Sequence, residues 1–207
     1  FKKYIAMTEK VLITGANSFI AKHLVTILHK AYDLNFLRRS PKDINEFHWN
    51  LETMTLDEKA LDGVNYIIHL AGSKLNDGTP LTAERQKTVR DSRIGATELL
   101  LKKLKQRNQH LKAFISASAL GYYGFNDNVL EITEDGNRGF GFAADLSADW
   151  EKAADLFETE NVADRVVKLR VSLVLGNEGG VFKDFKALLN QQPNVFEAAN
   201  GNSYLPW

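Results

Sequence analysis

The 207-residue sequence predicts an α/β domain built as a doubly wound parallel sheet with helices on both faces. Short apolar runs at 11–13, 66–71, 111–118 and 165–171 alternate with longer stretches of helical periodicity. Gly15, Arg38, Ala71 and Ser118 follow or end such runs, at the carboxyl edge where sheets of this kind take their ligands. A composition of 44% apolar and 25% charged residues suits a globular chain that can bury a core.

Residues 10–40 form the organising unit. Lys10-Val11-Leu12-Ile13-Thr14 reads as a strand that ends at Gly15, and Phe19, Ile20, Leu24, Ile27 and Leu28 then recur at helical spacing before a second apolar run at Phe36-Leu37. The first amides of such a helix lack internal partners and carry partial positive charge, so the turn suits a pyrophosphate. Gly15 permits the tight turn, and Asn17 and Ser18 are good residues to open a helix. A full TGxxGxxG pattern would put glycine at 18 and 21, where this chain has Ser18 and Ala21. The unit is Rossmann-like, and an ordinary βαβ turn is the alternative on these residues alone.

The remaining elements follow in order. Residues 1–9 are a lead-in, and Phe47-His48-Trp49 is a short third strand. Residues 54–61 have helical character, and Asp62-Gly63-Val64-Asn65 turns the chain into the strand Tyr66-Ile67-Ile68-His69-Leu70-Ala71-Gly72. Residues 82–107 form the longest expected helix, with Val89, Ile94, Leu99, Leu100 and Leu104 on its apolar face. A strand at 111–118 leads to the Gly121-Tyr122-Tyr123-Gly124 turn and a polar loop. A helix at 143–158, a strand at 165–171, a break at 176–180 and a helix at 181–189 complete the chain. Two parts are expected: an α/β domain at 8–175 and a small appendage at 176–207.

Net charge is zero, which removes the global field that would favour nucleic acid or an anionic membrane. No apolar run is long enough to span a bilayer, and no signal-peptide core opens the chain, so a cytoplasmic setting is expected. Without cysteine there is no disulfide, thiolate nucleophile or cysteine metal site, and no metal is expected. The expected partner is a small-molecule substrate, and the sequence leaves the oligomeric state open between monomer and homodimer.

Arg38 and Arg39 stand where an acid would accept bonds from the ribose 2′-hydroxyl of NAD. A guanidinium there can pair with the 2′-phosphate of NADP, so NADP(H) is the expected cofactor; a solvated basic pair is the alternative. His69 has a reference pKa near neutrality but lies in an apolar run. Ser116 and Ser118 end a strand at the active edge, Tyr122 and Tyr123 are candidate proton donors there, and Arg170 can reach a phosphate or the loop carboxylates Glu131, Glu134 and Asp135.

Taken together, Thr14-Gly15, Phe19-Ile20, Arg39-Ser40-Pro41, Ile68-His69-Leu70-Ala71-Gly72, Arg90-Asp91-Ser92-Arg93-Ile94, Ser116-Ala117-Ser118-Ala119, Gly121-Tyr122-Tyr123-Gly124, Asp149-Trp150-Glu151, Leu175-Gly176 and Gly179-Gly180 resemble the NADP-binding, epimerase-like branch of the short-chain dehydrogenase/reductase superfamily. The resemblance implies an oxidoreductase or epimerase acting on a small, nucleotide-sugar-like substrate. It implies cofactor contacts from Phe19, Ile20 and the backbone of His69, Leu70, Ala71 and Gly72, and it sets Lys87, Ser92 and Arg93 beside the cofactor's ribose and phosphates. Ser118 best matches the serine that orients substrate. The superfamily's Tyr-x-x-x-Lys pair is absent: no lysine lies four residues after Tyr4, Tyr32, Tyr66, Tyr122 or Tyr123. A protein that binds or senses NADP(H) without turnover is therefore the alternative function. The Gly201-Asn202-Ser203-Tyr204-Leu205-Pro206-Trp207 end resembles a segment that relatives continue into a further C-terminal region, so the resemblance implies a cofactor-binding domain at 8–175 and the beginning of a small substrate lobe at 176–207.

Overall fold

The computed structural model describes residues 8–75, 78–124, 132–176 and 179–180 and the single positions 182, 186 and 190. Its first strand, β1 (Lys10–Thr14), is central and almost wholly buried. β1 pairs in parallel with β2 (Asp33–Arg38) on one side and β5 (Val64–His69) on the other. With β3 (Glu46–Asn50), β4 (Thr55–Leu56), β6 (Ala113–Ala119) and β7 (Val166–Val171), the order is β4-β3-β2-β1-β5-β6-β7. All neighbours are parallel except β3 and β4. The fold is Rossmann-like, and the connections reverse direction between β1 and β5, which opens a crevice at that switch point.

Strand alternation sorts the core into two layers. Leu12, Leu37, Ile67 and Phe114 face one way and pack with Leu99, Leu100 and Leu104 of α3 (Ala96–Gln106) and Phe157 of α4 (Phe142–Thr159). The rings of Phe114 and Phe157 stack at 3.7 Å. Val11, Ile13 and Phe36 face the other way, under Ala21, Val25 and Leu28 of α1 (Phe19–Leu28). Helices thus cover both faces.

Two elements differ from the sequence expectation. The helix expected at 54–61 is confined to a 3₁₀ turn, Glu58–Leu61, capped by the Asp57 side chain. Its first half instead pairs with β3: Asn50 Oδ1 accepts from the amides of Glu52 and Thr53, Met54 turns the chain at φ 51, and Leu56 is buried opposite Trp49. The long helix at 82–107 is divided into α2 (Ala83–Arg90), a π-turn at Asp91–Gly95, and α3, which leaves the 18 residues of α4 as the longest regular helix described. Beyond Val171 a short antiparallel pair joins β8 (Leu175–Gly176) to β9 (Gly179–Gly180). Of the helix expected at 181–189 only Phe182 and Lys186 are described, both helical, and most of the 176–207 lobe lies outside the described residues, as do Glu131 and residues 201–207. Among the described residues no helix is long and apolar enough to cross a membrane.

Candidate functional site

The crevice is built from β1 and β5 outward. Gly15 has φ +68°, and a Cβ there would lie 2.5 Å from the Leu70 carbonyl oxygen and 2.8 Å from the Ala71 amide nitrogen. Only a residue without a side chain lets the two strand ends approach so closely. Thr14 ties the same ends together, because its Oγ1 accepts from the amides of Leu70 and Ala71, both at 3.2 Å. The Thr14 proton is then directed to His69 Nδ1, at 2.8 Å, which puts the ring proton of neutral His69 on Nε2. His69 is fully buried between Phe114 and Trp150, and burial pulls its pKa down to about 4. Its side chain holds the crevice wall together from behind, and the backbone of Leu70, Ala71 and Gly72 forms that wall.

Ser18 is the N-cap of α1. Its Oγ accepts from the Ala21 amide at 3.2 Å, which leaves its own proton free for another acceptor. Phe19 begins the helix, and its ring lies where a side chain on Gly176 or Gly179 would collide, at 2.2 and 2.4 Å. Ile20 is half-buried beside it.

At the end of β2 lies a cleft of about 610 Å³ lined by Asn17, Arg38, Arg39, Ser40, Lys42, Asp43 and Glu46. Arg38 pairs with Glu46 and donates to the Asn17 side-chain oxygen. Glu46 also accepts from the Lys42 amide at 2.8 Å. Arg39 is exposed at the rim. Glu46, which the sequence reading did not single out, orients Arg38 across the cleft, and Asn17 joins that cleft to the Gly15 turn.

The other half of the crevice is organised around Glu151, buried on α4. Ser118 donates to Glu151 Oε1 at 2.6 Å, and Arg170 grips both carboxylate oxygens, with Nε to Oε1 at 2.8 Å and Nη2 to Oε2 at 2.9 Å. Burial pushes the Glu151 pKa up, but bonds from Arg170 and Ser118 outweigh it and hold the carboxyl below its usual range. The same pairing raises the Arg170 pKa. Arg170 Nη1 also donates to the Tyr123 hydroxyl at 2.6 Å and to the Glu134 backbone oxygen at 2.7 Å, while the Tyr123 hydroxyl donates to the Thr133 carbonyl at 3.0 Å. The guanidinium lies 3.7 Å from the centroid of the Tyr122 ring. Among the described residues Arg170 therefore takes Glu151 as its carboxylate partner and meets Glu134 through that residue's backbone oxygen, while Glu131 lies outside the described residues.

The remaining site residues divide between crevice and periphery. Ser116 is buried and donates to the Ala117 carbonyl. Lys87 pairs with Asp91 on an exposed face of α2, whereas Ser92 and Arg93 turn inward to Ser73, just past Gly72. Asp145 pairs with Arg138 at 2.8 Å, and Ser147 donates to the Ala143 carbonyl. Glu151 had two signals in the sequence: its place in Asp149-Trp150-Glu151 and a carboxylate set within the apolar stripe of Leu146, Trp150, Ala154 and Phe157. Among the described residues no cluster of three or more His, Asp or Glu could hold a metal.

Comparison with known proteins agrees with this architecture. The chain is 33% identical to an epimerase family protein of Mycobacterium leprae over 200 residues, which is 95% of this chain and 62% of the relative. It thus spans less than two thirds of the length of that relative. The structure matches that of a nucleoside-diphosphate sugar epimerase from Corynebacterium glutamicum, with TM-score 0.74 and 26% identity over 88% of this chain and 38% of the other. It also matches the human epimerase family protein SDR39U1 solved with NADPH, with TM-score 0.73 and 26% identity over 88% of this chain and 60% of the other. A family model described as "NAD dependent epimerase/dehydratase family" matches residues 11–141, and with the parallel sheet and the Gly15 turn above it, the chain belongs to that family.

Proposed function

We propose that this chain is the NADP(H)-binding portion of an epimerase-type oxidoreductase acting on a small, nucleotide-sugar-like molecule. The observation that carries the reading is the basic cleft at the end of β2, joined through Asn17 to the Gly15 turn. The residues fit the cofactor: the Gly15 approach leaves no side chain over the crevice, Ser18 keeps a proton to donate, and Arg38 and Arg39 offer guanidinium groups to a 2′-phosphate. The human relative solved with NADPH supports the same choice.

A nicotinamide cofactor supplies the hydride in such chemistry. The chain's own residues hold it, shape the wall at Leu70–Gly72, and present the Ser118, Tyr122 and Tyr123 edge. The protons of Ser118 and Tyr123 are committed to Glu151 and Thr133, whereas the Tyr122 hydroxyl has no partner among the described residues. Tyr122 is thus the group at this edge able to move a proton. The commitment of the other two favours a second reading, a protein that binds or senses NADP(H) without turnover.

Titrating NADPH and NADH into the protein tests the cofactor, and tighter binding of NADPH is expected. Equal affinities would remove the NADP(H) assignment. Following nicotinamide absorbance with a panel of sugar nucleotides separates the two readings: cofactor turnover supports the first, and binding without turnover the second.

A further inference from the structure

At the amino edge of the sheet, opposite the crevice, the chain enters β6 and β7 through two turns that lie side by side. The first, 107–112, follows α3, and the second, 160–165, follows α4. Each helix ends on a left-handed asparagine, Asn108 at φ 49° and Asn161 at φ 56°. Leu111 joins the turns: its amide donates to the Val162 carbonyl at 2.8 Å, and its carbonyl accepts from the Asp164 amide at 3.0 Å. Leu111, Val162 and Ala163 are buried at this junction.

The His110 ring spans the same two turns, and both of its nitrogens face acceptors. Nδ1 lies 3.0 Å from the Asn161 carbonyl oxygen, and Nε2 lies 2.8 Å from Asp164 Oδ1. A carbonyl oxygen has no proton to give, and neither has an ionised carboxylate. A neutral imidazole carries one N–H, so it satisfies one contact and sets lone pair against lone pair at the other. The imidazolium carries two and satisfies both. The arrangement is thus built for the charged ring.

Two further features favour the cation. Asp164 is its counter-charge, and the Asn161 carbonyl lies just beyond the C-terminus of α4, where the helix dipole is negative. Bonds to Asp164 and then to Asn161 raise the His110 pKa above its ordinary 6.5. The ring is 41% exposed and exchanges its proton freely with solvent. The other charges around the junction are already engaged: Lys112 with Glu9, Lys105 with Glu160, and Arg107 with Asp62 and Glu58. Lys112 also interacts with the charge of Asp164.

We propose that His110 is a proton-operated clamp: protonated, it fastens the turn after α4 to the turn before β6, and loss of its proton breaks one of its two bonds and loosens both turns. A folded-state pKa above that of the unfolded chain fixes the sign. The clamp's contribution is fully present below pH 6.5 and is lost as pH rises through the folded-state value. This device rests on no assignment of ligand or cofactor.

The test combines an NMR titration of the His110 ring with amide hydrogen exchange in wild type, His110→Gln and Asp164→Asn. In wild type the ring should titrate with a midpoint above 6.5, and Asp164→Asn should move that midpoint down. The protection factors of the wild-type Leu111 and Asp164 amides should fall about two- to fivefold as His110 loses its proton, the size expected of an exposed ion pair. The Leu12 amide in β1 should keep its protection over the same range. In His110→Gln the protection of Leu111 and Asp164 should no longer follow pH. Should that variant not fold, Asp164→Asn decides, because it keeps the ring and removes only the charge that faces it. A wild-type midpoint at or below 6.5, a midpoint unmoved in Asp164→Asn, or protection at Leu111 and Asp164 that stays constant as His110 titrates would each overturn the proposal.

Discussion

The two halves of the crevice are built on opposite principles. Around Gly15, Ser18 and the β2 cleft, polar groups point outward with capacity to spare: a hydroxyl proton on Ser18, an exposed Arg39, a backbone wall stripped of side chains. Around Ser118, Arg170 and Tyr123 the polar groups face one another, through bonds to Glu151, Thr133 and Glu134. The first half is arranged for a ligand to complete, whereas the second is complete without one. Binding energy should therefore reside in the first half and folding stability in the second.

The largest expected effect lies in the self-satisfied half. Glu151→Gln leaves Arg170, whose side chain is 19% exposed, without its counter-charge and should cost about 3 kcal/mol of stability in urea unfolding, with little change in NADPH affinity. A variant of wild-type stability would show that the network is dispensable.

The wall between the halves should give a pH signature of similar size. Unfolded His69 takes up a proton near pH 6.5, whereas the folded ring resists protonation until about pH 4. Its contribution is fully present above pH 6.5 and is lost as pH falls from there toward about 4, a loss of about 3 kcal/mol. His69→Gln should flatten unfolding free energy between pH 6.5 and 4.5, and an unchanged slope would place the acid sensitivity elsewhere.

In the open half, the Arg38→Ala, Arg39→Ala double variant should weaken NADPH by about ten- to hundredfold, the equivalent of about 1.5–3 kcal/mol for a charge-assisted contact. NADH affinity should stay near wild type; an equal loss for both cofactors would mean that the arginines shape the cleft and do not read a phosphate. The smallest effect belongs to Ser18→Gly, which removes an N-cap bond at a cost of a few tenths of a kcal/mol. NADPH binding should be unchanged or improved, and a marked loss would identify the Ser18 hydroxyl as a phosphate ligand.

Much of the sheet was legible in the chain because burial on both faces leaves dense apolar runs, as in β1 and β5. Residues 54–61 read as a helix because Leu56 and Ala60 have the i, i+4 spacing of one, while the pairing of Leu56 with Trp49 that overrides it comes from another strand. The π-turn has no signature of its own, and the bonds that Ser92 and Arg93 make from it go to Ser73, about twenty residues earlier in the chain. Arg170 was recognisable as a cation at a strand end, but its partner Glu151 lies on another element, 19 residues away.

By itself, the sequence determined the order of strands and helices, the glycine at the first turn and the cations after β2, because periodicity, φ preference and side-chain charge are local properties. Only the tertiary structure decided where each proton goes. Thr14 donates to His69 across 55 residues and Ser118 to Glu151 across 33, and that choice separates a buried wall from a reactive base. The physical reason is that a hydroxyl or imidazole has several possible partners of similar strength, and only the packing of distant elements removes all but one.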